Sequence, residues 1–161
     1  MKGKYDSKQD TQQHITTVSN SICKVIMALN VRAIAHDKSK TEQPEKAVFD
    51  EVTPQLKGST YGSEEYLQFL RDMKPALDHH YAANRHHPEH FENGIRGMTL
   101  VDLIEMFCDW YAATQRHADG DIKKSIVINQ KRFGYGDDLA DMFRNTIALL
   151  EEQPGNDEGE K

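Results

Sequence analysis

Cysteine is scarce in this chain. Cys23 and Cys108 are the only two in 161 residues, and both sit in apolar stretches, NSICKVIMAL and IEMFCDWY. They read as small buried hydrophobes in a reducing, cytoplasmic setting rather than as a disulfide framework. Long apolar runs are missing as well. Nothing approaches the roughly 18 residues needed to span a bilayer, and the start MKGKYDSKQDTQQH has no apolar centre of the signal-peptide kind, so neither a membrane role nor export is expected. Basic excess is absent too: 20 Lys and Arg stand against 26 Asp and Glu. Duplex nucleic acid is therefore not an expected partner, because phosphate contacts dominate such binding. Alternating strand patterns and internal repeats are also lacking, and an all-α chain is what remains.

The net charge of -6 is concentrated in the tail EEQPGNDEGEK, where five acids face one lysine. That tail, residues 151–161, is expected to be disordered, which leaves residues 1–150 as one compact helical domain of about five to seven helices, large enough for its own core. Ile15, Val18, Ile22, Val25, Ile26 and Leu29 recur at steps of three and four, predicting a helix over about 8–29. Asn30 is the expected break, with a short second helix in VRAIAHD. The segment 41–62, carrying Pro44, Pro54, Gly58 and Gly62, reads as loop with one helical turn at most.

Ser63 with Glu64 and Glu65 starts a further helix, whose apolar face is Tyr66, Phe69, Leu70, Met73, Leu77 and Tyr81. Pro75 should kink or divide it, and Pro88 should end it before His87. Thr99 and Asp102 form a capping pair for a helix over about 99–115, with Met98 and Leu103 as a staple. Two more helices are predicted at about 121–132 and 137–151, on either side of the turn FGYGDD.

Histidine is the residue in surplus, with five of the eight lying in HHYAANRHHPEH, from His79 to His90. Neutral imidazoles with carboxylates make an N/O ligand set for zinc, manganese or iron. His14 lies on the first helix and His36 beside Asp37 at the end of the next. Asp102, Glu105 and Asp109 form one stripe opposite Leu100, Leu103, Ile104, Phe107 and Tyr111. Taken alone, such a stripe reads as a solvated face with Asp102 a simple cap, and His14 reads as a surface residue. Of His79 and His80, about 100° apart on a helix, one should face the site and the other solvent or a carboxylate. Asn84 and Arg85 face the pocket or cap the helix. His90, beyond Pro88, should face solvent.

The order H, HD, D on an all-α chain resembles the HD superfamily of metal-dependent phosphohydrolases, and HDKSK resembles its HDxGK motif with Ser39 in place of glycine. The resemblance implies that His14, His36, Asp37 and Asp109 hold a first divalent ion, and that His80, His86 and His87 can hold a second. The runs AHDKSK, HHYAANRHHPEHF, LIEMFCDWYAATQRH, DGDI, SIVINQKRF and FRNT further resemble a family of short viral and bacterial proteins whose function is not established. That likeness implies one shared site containing Asn84, Arg85, Glu105, Asp109, Trp110, Arg116 and His117.

The expected activity is hydrolysis of a small phosphoester such as a nucleotide, with one or two zinc, manganese or iron ions activating water. Lys40, Arg85 and Arg116 are the candidates for holding phosphate, alongside Asn84; Glu105 or His87 would serve as acid or base. Two alternatives stay open: a di-iron oxygenase of the HD type, and a non-enzymatic metal-stabilised binding or inhibitor protein. Self-association is also open. One geometric condition applies. An unbroken first helix carries His14 about 22 Å from residue 29, while residues 31–36 recover only about 8 Å. Unless that helix bends at Ser19-Asn20-Ser21, ends early or crosses steeply, His14 is not a ligand of the same ion.

Overall fold

The computed structural model describes residues 5–58, 63–116 and 120–151; the acidic tail from 152 onward and His117 lie outside the described residues. Among the described residues there are seven α-helices, three 3-10 turns and no strand, so the chain is all-α. It divides into two compact units, Met1–Asn84 and Arg85–Lys161.

Helix α1 runs unbroken over Lys8–Ala35. Asn30 therefore does not end it, and no second helix follows. The stretch holds neither glycine nor proline, and a mid-helix asparagine costs only about 0.7 kcal/mol against alanine. Ser19-Asn20-Ser21 does not interrupt it either. The hydroxyls of Thr16, Thr17 and Ser21 donate to the carbonyls of Gln12, Gln13 and Thr17, so these side chains are satisfied inside the helix rather than competing with it. Termination comes at His36 and Asp37, where Asp37 takes the left-handed conformation at φ 54°. A left-handed residue after the last turn is the ordinary way to stop a helix, though glycine is its usual occupant.

The segment expected to be loop holds helix α2, Glu45–Gly58, with Pro54 inside it. Pro54 is exposed, so the Asp50 carbonyl that loses its helical donor can turn to water, which lowers the cost of an internal proline. Helices α3 (Glu64–Asp72) and α4 (Lys74–Ala83) are separated at Met73, with Pro75 in the first turn of α4. Proline lacks the N–H that a first turn leaves unused anyway. Within this unit α2 packs against the 3-10 turn Lys38–Thr41, α3 and α4, burying Val52, Met73 and Ala76. The side chains of Tyr66 and Leu70 lie outside the described set.

The second unit has α5 (Leu100–Thr114), α6 (Ile122–Phe133) and α7 (Asp137–Glu151). Its core joins Met106, Phe107, Ile122, Ile126, Tyr135, Ala140, Phe143 and Ile147, with Met98, Leu103, Trp110 and Phe133 packed against it. Gly134 closes α6 at φ 66°, a conformation that any residue with a Cβ adopts at a cost. Thr99 caps α5 as a full box: its hydroxyl accepts from the Asp102 amide, and Asp102 accepts from the Thr99 amide at 2.9 Å. Thr99→Ala should therefore destabilise this unit by about 1 kcal/mol in urea unfolding; an unchanged midpoint would mean the box contributes nothing.

The two cysteines are exposed, contrary to the expectation from their apolar neighbours. Local composition does not say which face of a helix a residue occupies, and both fall on outward faces of α1 and α5. The length of α1 also revises the reading of apolar runs: unbroken, it is long and apolar enough to cross a membrane by length and composition.

Candidate functional site

In the first unit the turn after α1 and the helix α4 bring His36, Asp37, Lys40, His80 and Asn84 together. The residue that organises them was not foreseen. Glu45, at the start of α2, is 0% exposed. Its carboxylate accepts from the Ser39 hydroxyl at 2.9 Å, from His79 Nδ1 at 2.7 Å and from His80 Nδ1 at 2.9 Å. Burial pushes the Glu45 carboxyl up, but the hydrogen bonds from His79, Ser39 and His80 outweigh it and hold the group below its ordinary value. Asn84, the residue that ends α4, donates to Ser39 Oγ and to the His80 carbonyl, each at 2.8 Å. It caps the helix and braces Ser39. A glycine at position 39 could make none of these bonds.

The partition of His79 and His80 follows the expected pattern. His80 is 1% exposed, while His79 stands at the surface with Glu45 as its carboxylate. With Nδ1–H of His80 donating to Glu45, the other ring nitrogen, Nε2, meets Asp37 Oδ1 at 3.2 Å. An imidazole nitrogen and a carboxylate oxygen this close form an arrangement that a cation held by both would satisfy. A separation near 3.2 Å also suits two ligands bound to one ion at about 2.0–2.2 Å. On its other side Asp37 Oδ2 lies 3.6 Å from His36 Nε2 and 2.6 Å from Lys40 Nζ, and Lys40 rests over the Phe49 ring.

His14 does not join this group. It is exposed on the same unbroken helix, 22 residues before His36, a distance of about 33 Å along the axis. Within one chain it is no ligand of an ion at Asp37, for the geometric reason already stated.

The second unit repeats the imidazole–carboxylate pairing. His86 is 1% exposed and its Nδ1 lies 3.1 Å from Glu105 Oε1; the half-buried His87 ring is 4.1 Å from it. His90 packs edge-on against Phe91 and is half-buried. The acidic stripe of α5 is not a solvated face. Asp102 is 2% exposed and the Glu105 side chain 9%, whereas Leu100 and Ile104 on the expected apolar side are exposed. The acids can turn inward because Thr99, Arg85 and His86 supply partners that offset the loss of water. Asp109 is half-buried one turn beyond Glu105.

Arg85 is held by this scaffold. Its Nε and Nη2 donate to the two Asp102 oxygens at 3.2 and 3.1 Å, and its guanidinium stacks on Phe91. Arg116 is exposed at the end of α5. Trp110 belongs to the aromatic core, stacked with Phe133 and Tyr135.

Asp102 yields a pH prediction. Burial raises its carboxyl, but the hydrogen bonds from Arg85 and Thr99 prevail and hold it below its ordinary value. In the unfolded chain the group binds a proton more readily, so its contribution is complete above about pH 4 and is lost as pH falls through the lower folded value. Urea unfolding followed from pH 7 to pH 3 should show this loss, and Asp102→Asn should flatten it. An identical acid profile in the variant would refute the assignment.

The signal for Glu45 was present in the sequence as PEKAVFDEV: a proline, an acid for a first turn, then Val48 and Val52 one turn apart. Proline and glycine nearby obscured it. Among curated proteins and solved structures, no match to this chain was found. A family model does match, over residues 3–154 and under the description "Family of unknown function". That span takes in both units, and the chain belongs to this family, DUF5662.

Proposed function

We propose that the protein is a metal-dependent phosphohydrolase of the HD type, acting on a small phosphoester such as a nucleotide. The observation that carries the reading is the Glu45–His80–Asp37 relay. A histidine that ligates a metal ordinarily gives its other N–H to a carboxylate, which fixes the tautomer and raises the basicity of the ligating nitrogen. Here Glu45 does so for His80 and leaves Nε2 directed at Asp37. His36, Asp37 and His80 are the ligands we assign in this unit; in the second unit the corresponding pair is His86 with Glu105, beside His87. Zinc, manganese and iron all suit such N/O donors. A divalent ion held there would supply the charge that makes water a nucleophile near neutral pH and polarises a phosphoryl oxygen. Lys40, beside Asp37, is the cation on hand to meet a substrate phosphate.

A structural ion in a non-enzymatic binding protein is the second reading, and one feature favours it: Lys40 already covers Asp37 Oδ2 at 2.6 Å. The deciding experiment is elemental analysis of protein purified without a histidine tag or chelator, followed by a nucleotide and phosphoester hydrolysis screen with the metal found. Less than about a tenth of an equivalent of transition metal would defeat both readings. Metal without turnover, with unfolding on chelation, would select the structural ion.

A further inference from the structure

We propose that α1 is a self-association helix that pairs antiparallel with α1 of a second copy of this chain. None of the 28 residues of α1 is buried, and only Leu29 and Arg32 are partly covered. Most helical stability in proteins comes from packing an apolar face rather than from propensity. This one has such a face. Ile15, Val18, Ile22, Val25 and Leu29 alternate steps of three and four, the spacing of a coiled-coil seam. The first four and the adjoining Ile26 are between 42% and 59% exposed. Covering them removes on the order of 80–100 Å² each, so two copies with their flanking side chains reach about 1,000 Å², the lower bound for a specific interface.

Charge selects the orientation. A parallel pair would set Arg32, on the flank of the seam, beside its own copy and align the helix dipoles. An antiparallel pair centred on Ile22 puts Ile15 against Leu29 of the partner subunit and Val18 between Val25 and Ile26 of the partner subunit. The same register brings the acidic Asp10 of the first turn within about one turn of the basic Arg32 of the last. Both lie on one flank of the seam, and like flanks meet in an antiparallel pair. Met27, Val31 and Ile34 fall outside the seam and take no part.

A bilayer is the rival occupant, since α1 is long and apolar enough to cross one. The opposite face argues against it: Thr16, Thr17, Asn20 and Lys24 would lie within hydrocarbon, where a central lysine alone costs about 2.5–3.5 kcal/mol.

The test uses the full chain in sedimentation equilibrium over a wide concentration range. The expected species is twice the 18.4 kDa chain mass. Ile22→Asp, which sets two like charges together at the centre, should raise the dissociation constant about a hundredfold or more; Thr17→Lys, on the opposite face, should leave it unchanged. Circular dichroism on both variants confirms that the other helices persist. For orientation, with both native cysteines replaced by serine, Ile15→Cys mixed with Leu29→Cys should oxidise to a covalent dimer while Ile15→Cys alone should not. A monomer at every concentration, an equal response of the two variants, cross-linking of Ile15→Cys with itself, or partition of the chain into neutral lipid vesicles would each overturn the proposal.

Discussion

Asp37→Asn is expected to lose the divalent ion and the hydrolysis proposed for this site while leaving unfolding within about 1 kcal/mol of the parent chain. The choice of asparagine matters, because residue 37 sits at φ 54° and asparagine enters this left-handed region nearly as readily as aspartate does. Alanine would add backbone strain and confuse loss of metal with loss of fold. The amide keeps the size of the side chain but not its charge, and it faces His80 on one side and His36 with Lys40 on the other. Removing only a hydrogen-bond partner of a metal ligand commonly costs 10–100-fold in affinity, so removing the one carboxylate of this group should cost more. Asp37→Gly supplies the converse control: it should relax the backbone, hold or raise stability, and lose metal all the same. If either variant kept its full metal content and turnover, the assignment of Asp37 as a ligand would fail.

Phe143→Ala should destabilise the second unit by about 3–5 kcal/mol, the largest effect on stability of any single truncation proposed here. Phe143 stacks on Phe107 with ring centroids 5.1 Å apart, and meets Trp110 and Tyr135 edge-on, each at 5.7 Å. Truncation removes all three contacts and leaves a cavity between α5 and α7. Close by, Tyr135 donates to the Ile126 carbonyl at 2.8 Å, and burial pushes its phenol up to about 12, so it stays a neutral donor through the working pH range and cannot be recruited to charge the cavity. Phe143→Leu, which keeps most of the volume, should lose far less. The chain has a single tryptophan, and Trp110 lies against Phe143, so its fluorescence reads the same change directly. A urea midpoint for Phe143→Ala equal to that of Phe143→Leu would show that the aromatic cluster is not what holds this unit.

Much of the architecture was legible before any coordinates. The bounds of α5, α6 and α7, the Thr99–Asp102 box, the division at Pro75 and the split of roles between His79 and His80 all follow from signals acting within a turn or two of the chain. Local signals mislead where they conflict. Asn30 and the serines of α1 are weak breakers, set against a stretch with no glycine or proline. Pro44, Pro54 and Gly58 looked like loop, yet Glu45, Val48 and Val52 describe a helix.

What the sequence determined by itself is therefore local: an all-α chain, most helix limits, the caps, and the residue types able to bind a metal. The tertiary structure alone decided which of them meet. Glu45 reaches His80 across 35 positions, Asn84 reaches Ser39 across 45, and Arg85 reaches Asp102 across 17. It also decided that His14 stands apart and that the acids of α5 turn inward. The physical reason is that these polar groups are buried through satisfying one another. Hydropathy scores each as a surface residue, and only the three-dimensional partner supplies the hydrogen bonds that make its burial affordable.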